Sequence, residues 1–404
     1  MAAPKTIYIE DSRTPIYRRI AQSLGAELLR RGFEVLLIKP DGFSSDSFHA
    51  FLQGQGGAAY VSNASSNAIQ SRRPGSDAFF FESFPGKLVF LHQDAILGGL
   101  GLLAGIAKLQ AWTRVAARSA HLCIEADNVA DLHAVGIDNA RLVGHASETL
   151  PAAPLLEGFD FEASFVGHVV PGGHYPPGGT SARFQALVAE AMQARQDDLG
   201  CALEPLVKAY ADQAVDGLGT ADDQAVLRVA QAQWLRNEIT GQTLPFRGWV
   251  FERSGIERLS IFGGDPAYLH NVSRDLRIDR PGISYHPAVY EPAEVQGVYR
   301  RSRVNLNVTS LQFDHAVVNR VHDVFMAGGL CLTDARDGLA QLTSAHADIS
   351  FRTLGELRDR AAYFSQPGVA PERAALVRRV QQDIIDRAGY PSLTGAIATA
   401  LEGL

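Results

Sequence analysis

Cysteine is scarce in this 404-residue chain, which has three. Cys123, Cys201 and Cys331 are odd in number and far apart, which excludes a disulfide framework and reads as reduced packing thiols in a cytoplasmic protein. No His/Cys group has metal-ligand spacing. No apolar run reaches the roughly 18 residues of a membrane span; the longest, AILGGLGLLAGIA at 95–107, is glycine-rich and reads as a loop and a buried helix. The opening MAAPKTIYIED has no basic stretch followed by an apolar one, so no signal peptide is expected. Positive charge is not in excess, with 37 basic against 44 acidic residues and a net charge of −7. That disfavours a nucleic-acid surface, so a bound anion has to be held locally. Contact with a membrane through a surface patch is left open. Low-complexity tracts and repeats of 20 to 50 residues are missing too.

What is present is the composition of a folded enzyme, 46% hydrophobic and 20% charged, at a length that suits two domains. KTIYIE (5–10) reads as a strand, PIYRRIAQSLGAELLRR (15–31) as a helix with Ile16, Ile20, Leu24 and Leu28 on one face, Gly32 as its stop, and FEVLLIKP as the next strand. This βαβ unit predicts a parallel sheet. Further strands are expected at 58–63, 87–92, 122–126 and 140–146, with helices around 105–119 and 128–135. LPAAPLLEGFD (150–160) reads as a linker, which gives a first domain over 1–155 and a second over 156–375, with a helical elaboration over 181–245. Residues 376–404 are expected to form a C-terminal helix that packs back on the first domain.

Two α/β domains place ligands at the carboxyl ends of their strands. RVNLNVTS (303–310) alternates Val304, Leu306 and Val308 with Asn305, Asn307 and Thr309, and SLQFDHAVVNRVHDVFMAGG follows it. Asp314 is the expected cap of that helix, which would turn the amides of His315, Ala316 and Val317 toward an anion. Val317, Val321, Val324 and Phe325 would be its buried stripe. Arg320 and Asp323, three residues apart, read either as a surface ion pair or as ligand groups, the carboxylate for paired hydroxyls and the guanidinium for phosphate. The EAD at 125–127 reads as a strand end followed by an Asp helix cap rather than a metal motif.

From GVYRRSRVNLNVT through NRVHDVFMAGGLCLTD, and again at EASFVGH, the chain resembles group 1 glycosyltransferases, in particular the branch of spore-maturation CgeB-type proteins. The resemblance implies an α/β protein of GT-B architecture, with two Rossmann-like domains facing a cleft and the donor held mainly by the second. It puts Asp323 where the family has a ribose-binding Glu, and Arg320, Gly328 and Gly329 on the family's arginine and glycine pair. His315, eight residues before Asp323, stands where group 1 enzymes have an acidic residue, so retention of stereochemistry is not implied.

The same resemblance assigns Arg183 to the diphosphate, Gly167 to close backbone approach, and Gly264, Asp265, Tyr285 and His286 to the nucleobase side. KLVFLHQD resembles the family strand whose histidine meets sugar or acceptor, which makes His92 and the nearby Asp94 the catalytic candidates. A histidine there serves as a donor or a general base. Loops after the first strand (Glu10, Asp11, Ser12, Arg13) and at Asn63, Ala64 and Ser65 are placed to meet an acceptor.

The implied activity is a metal-independent transfer of sugar from a nucleotide diphosphate sugar, with no other cofactor, to a hydroxyl or side chain of a protein or glycan. A nucleotide-sugar epimerase or hydrolase on the same fold, or a protein that only binds nucleotide sugar, are the alternatives.

Overall fold

The computed structural model describes residues 5–12, 14–148, 158–171, 182–263 and 282–404. The chain divides into two compact units. Unit 1 comprises Met1–Ala146, Val207–Asn237 and Tyr390–Leu404; unit 2 comprises Ser147–Leu206 and Glu238–Gly389.

Unit 1 is built on six parallel strands in the order β2-β1-β3-β4-β5-β6, with β1 at Thr6–Glu10, β2 Glu34–Ile38, β3 Ala59–Ser62, β4 Lys87–His92, β5 Ser119–Cys123 and β6 Ala140–Leu142. Every residue of β3, β4 and β5 is buried, as expected of a parallel sheet covered on both faces. One face packs Tyr8, Tyr60, Phe90 and Cys123 under α2 (Ser45–Gln53) and α3 (Leu102–Val115). On the other, Ile7, Ile9, Val61, Val89 and Leu122 meet Leu24 and Leu28 of α1 (Pro15–Arg30), together with Tyr390, Leu393, Ile397 and Leu401. Helix α1 starts on Pro15, where the missing N–H is not needed, and stops before Gly32, whose φ of 89° is left-handed. Helix α4 spans Ala126–Ala134 with Glu125 at the position before it making no side-chain capping bond, and Asp127 lies in its first turn instead of capping it.

Unit 2 repeats the theme, in the order β12-β11-β10-β7-β8-β9. Its strands are β7 (Phe161–Val166), β8 (Leu259–Phe262), β9 (Ile283–His286), β10 (Ser302–Asn307), β11 (Cys331–Asp334) and β12 (Ser350–Phe351), all parallel. Helices α5 (Ala182–Asp197), α6 (Glu204–Val215), α7 (Ala221–Thr240) and α8 (Thr243–Arg253) fill the stretch before β8. Then come α9 (Pro292–Arg301), α10 (Asn319–Met326), α11 (Gly338–Leu342), α12 (His346–Ile349), α13 (Leu354–Ser365), α14 (Ala370–Arg387) and α15 (Tyr390–Gly403).

Three expectations about the chain's course change. The helices over 181–245 are not one elaboration of the second domain, because Val207–Asn237 clusters with unit 1. There Gln233 Nε2 donates to Asp131 Oδ2 at 2.7 Å and to Asn128 Oδ1 at 3.1 Å. The second unit runs on through α14 to Gly389, past residue 375, and only Tyr390–Leu404 joins the first. In β10, Asn305 and Asn307 are as buried as their apolar neighbours. The alternation there reflects an amide ladder, with Asn305 accepting from Ser164 Oγ at 2.9 Å and Asn307 donating to Thr333 Oγ1 at 2.9 Å. Among the described residues no helix is long and apolar enough to cross a membrane.

Candidate active site

Where neighbouring parallel strands lead off in opposite directions, their loops part and leave a crevice at the carboxyl ends. In unit 2 that place lies between β7 and β10, which pair directly while the sheet continues to β8 on one side and β11 on the other. Arg320, in the first turn of α10, reaches into it. Its Nε donates to Val166 O at 2.9 Å and its Nη1 to Asn307 Oδ1 at 2.6 Å. The guanidinium lies 4.6 Å from the Phe165 ring centroid.

Arg247, on α8, comes to the same ring at 5.6 Å while its Nε donates to Val308 O at 2.9 Å. Burial, then the charge of Arg320, pushes its pKa down to about 9 against the pull of Asp334. Two cations thus meet one aromatic ring at the crevice, and among the described residues neither is ion-paired with a carboxylate. The expected Arg320–Asp323 surface pair is therefore not what Arg320 does. Asp323 is half-buried one turn further along α10, and both side chains act on the buried phenol of Tyr299, whose pKa burial raises.

Gly167 and Gly263 close the backbone around this spot. At φ 146°, a Cβ on residue 167 would stand 2.8 Å from Arg320 Nη2 and 3.1 Å from the Phe165 ring; at φ 129°, one on residue 263 would stand 2.5 Å from Gly167 O. His168 Nδ1 donates to Gly263 O at 2.8 Å and leaves Nε2 to accept from Tyr290 Oη at 3.2 Å. His286 stacks on Phe262 with centroids 4.5 Å apart, its pKa lowered by burial, and its carbonyl accepts the Gly263 N–H at 3.3 Å. Tyr285 precedes it on β9. Gly264 and Asp265 lie outside the described residues. Arg183 stands exposed in the first turn of α5.

The expected helix start is wrong. Helix α10 begins at Asn319 with Val318 as its cap, so the amides of His315, Ala316 and Val317 do not belong to it. Asp314 does not cap it. Fully buried, its carboxylate takes Arg195 Nη2 at 2.5 Å and the backbone N–H groups of Leu203 and Glu204 at 2.8 Å each. It thereby holds the start of α6 from across the unit. His315 sits 3.2 Å from Asp337, and its carbonyl accepts the Gly338 N–H. Val321, Val324 and Phe325 form the expected buried stripe, while Val317 lies outside the helix and only half-buried.

In unit 1, His92 ends β4 and is 4% exposed. Its Nε2 lies 2.9 Å from Nδ1 of His121 on β5, the rings nearly parallel at 10°. Trp112 of α3 meets both rings edge-on, and Lys108 Nζ lies 5.2 Å from the Trp112 ring centroid. Burial first, then His121 and Lys108, holds His92 well below the usual imidazole range, so it is neutral. Asp94 accepts from Tyr17 Oη, and its carbonyl from Asn128 Nδ2 at 3.3 Å. Nearby, at the ends of β1 and β3, Glu10 Oε1 accepts the Ala68 N–H at 2.8 Å and Asn63 Nδ2 donates to Tyr17 O at 2.9 Å.

Residues 246–391 match a family described as glycosyl transferase-like. The crystal structure of the DNA-modifying enzyme β-glucosyltransferase, the T4 phage protein, superposes with a TM-score of 0.51 at 12% identity, over 98% of this chain and 99% of that one. Anabaena Alr3699/HepE, in complex with UDP-glucose, gives 0.53 at 10% identity over 99% and 100%. The fold is GT-B. T4 phage BGT in complex with its UDP-glucose substrate gives a TM-score of 0.53 at 11% identity, over 98% of this chain and 99% of that one, and shares the GT-B arrangement of two parallel-sheet units. No curated protein matches the sequence.

Sequence reasoning missed Arg247, His168, Tyr290 and His121. Arg247 alone left a signal, a cation set among Phe246, Trp249 and Phe251 in TLPFRGWVFER.

Proposed function

We propose that this GT-B protein is a glycosyltransferase whose second unit binds a nucleotide diphosphate sugar. The observation that carries the reading is the Arg247–Phe165–Arg320 group at the β7/β10 switch point. Two guanidiniums of like charge, pinned by their Nε atoms to strand-end carbonyls, repel each other until an anion lies across them. A diphosphate has the charge and the spread of acceptor oxygens to do so. The glycines at 167 and 263 keep the surrounding backbone free of side chains.

Asp323, on the helix that carries Arg320, is assigned to the ribose hydroxyls on the strength of the family resemblance, which also supports placement in the CgeB-type branch. As the glycosidic bond breaks, negative charge gathers on the departing nucleoside diphosphate, and fixed guanidiniums stabilise it without reorganising. The reading gives that task to Arg247 and Arg320 instead of a metal. A UDP-hexose is the first donor to try, because the T4 phage and Anabaena structures are described with UDP-glucose. The acceptor is a hydroxyl or side chain of a protein or glycan. Two fully buried free thiols, Cys123 and Cys331, support a cytoplasmic location.

The test is calorimetric titration of the protein with UDP, GDP, dTDP and their sugars. Each charge-assisted hydrogen bond to phosphate contributes about 1.5–3 kcal/mol, so Arg247→Ala and Arg320→Ala should each weaken binding by roughly tenfold to a hundredfold. Unchanged affinity in both variants refutes the donor site, and a nucleotide sugar consumed equally well with and without acceptor refutes transfer.

A further inference from the structure

We infer that His121 is a positioning residue that fixes His92 as a hydrogen-bond donor through Nδ1 and so denies it the part of a general base. The inference rests on the reading above, in which the carboxyl end of β4 serves the reaction. It deepens that reading by naming what His92 can offer a substrate, namely an N–H for an acceptor oxygen such as a sugar hydroxyl.

The two rings come from adjacent strands. The β4/β5 register sets Phe90 beside His121 and His92 beside Cys123, so both histidines point to the face covered by α3. The 2.9 Å approach of His92 Nε2 to His121 Nδ1 requires one proton between them. Two arrangements satisfy it. In one, His92 carries the proton on Nε2 and donates, and His121 must then be protonated on its own Nε2. That atom is buried with no hydrogen-bond partner, so the arrangement strands an N–H donor in the core.

In the other, His121 Nδ1–H donates to His92 Nε2, and the orphaned Nε2 of His121 is only a lone pair. An unpaired buried N–H is tolerated less well than an unpaired lone pair, which favours the second arrangement. His92 then holds its proton on Nδ1, opposite to the Nε2–H form expected of a solvated imidazole. A third state, with either ring charged, is opposed by burial and by the Lys108 amine. Phe90, at 4.9 Å from His121, and Trp112, at 5.0 Å, leave the ring no room to turn away.

The test is the long-range ¹⁵N–¹H NMR pattern of the histidine rings in the intact protein, which separates Nδ1–H, Nε2–H and imidazolium forms. Wild type should show His92 and His121 both as Nδ1–H. His121→Asn, whose side-chain NH₂ falls near the place of Nδ1, should keep His92 in the Nδ1–H form. His121→Asp, which sets an acceptor oxygen at that place instead, should draw the proton onto Nε2 and lower kcat at least tenfold with KM for the nucleotide changed little. If His121→Asp does not fold, the wild-type and His121→Asn spectra decide alone. An Nε2–H or charged His92 in wild type, or a His92 with no proton on Nε2 in His121→Asp, overturns the inference. Tautomers as stated with unchanged kcat in His121→Asp would overturn the role of His92 in the reaction and leave the donor site of unit 2 untouched.

Discussion

His322→Phe should make unit 2 more stable in acid than the native sequence. His322 lies in the middle of α10, 2% exposed, and neither ring nitrogen has a hydrogen-bond partner. A neutral imidazole always carries one N–H, and leaving it unpaired in a core costs about 1–3 kcal/mol at any pH. A second cost depends on pH. Burial pushes the folded-state pKa down to about 4, whereas the unfolded chain titrates near 6.5. As pH falls from roughly 6.5 toward 4, the unfolded state takes a proton that the folded state refuses. Stability therefore drops by about 1.4 kcal/mol per pH unit in that window, or roughly 2 kcal/mol by pH 5.

Phenylalanine keeps a flat ring and removes both costs, while its extra bulk adds a packing penalty that does not vary with pH. Native-state amide exchange, followed by mass spectrometry on a fragment covering 319–326 and corrected for intrinsic rates, reports the opening free energy at each pH. The gap between His322→Phe and wild type should widen by roughly 2 kcal/mol from pH 8 to pH 5. His92 and His121 titrate identically in both proteins and cancel. A gap of equal size at pH 8 and pH 5 would show that His322 is not a buried neutral group, and the reasoning would fail.

Two further outcomes test the packing and the site. Asp314→Ala takes away the carboxylate bonded to Arg195, itself 0% exposed, and should destabilise unit 2 by roughly 3–5 kcal/mol in urea unfolding. The double change Arg195→Met with Asp314→Leu should recover most of that, and a loss below about 1 kcal/mol for Asp314→Ala would refute the pairing. Gly167→Ala should weaken UDP binding at least tenfold in calorimetry with the far-ultraviolet circular dichroism unchanged, because its Cβ would displace Arg320 Nη2 from 2.8 Å; normal affinity would remove Gly167 from the site.

What could be read from sequence followed from local rules. The first βαβ unit announced itself through the four-residue spacing of Ile20, Leu24 and Leu28, a proline start and a glycine stop, all set within one stretch of chain. Asp314 misled because an aspartate ahead of an apolar helix looks like a cap, whereas its partners Arg195, Leu203 and Glu204 are more than a hundred residues away in sequence. The allocation of Val207–Asn237 was equally hidden: an amphipathic helix shows that it has an apolar face, not which core will receive it. Arg320 was visible through its motif, but Arg247 gains its meaning only from a ring on β7, and His121 only from a strand neighbour. Sites assembled from distant residues are legible in sequence only where a motif happens to mark one member.

The return of Tyr390–Leu404 to unit 1 bears on how the protein can be made. Tyr390, Leu393, Ile397 and Leu401 cover the sheet face that holds Ile7, Ile9 and Val89, and Lys87 Nζ donates to Leu401 O at 2.6 Å. On the ribosome the six strands of unit 1 emerge early, yet α1 covers only part of that face until α15 has been made. A chain broken off after α14 would keep all of unit 2 and expose a greasy patch on unit 1, a signal that chaperones and proteases act on. Neither unit corresponds to one continuous segment that could be cut out and expressed alone.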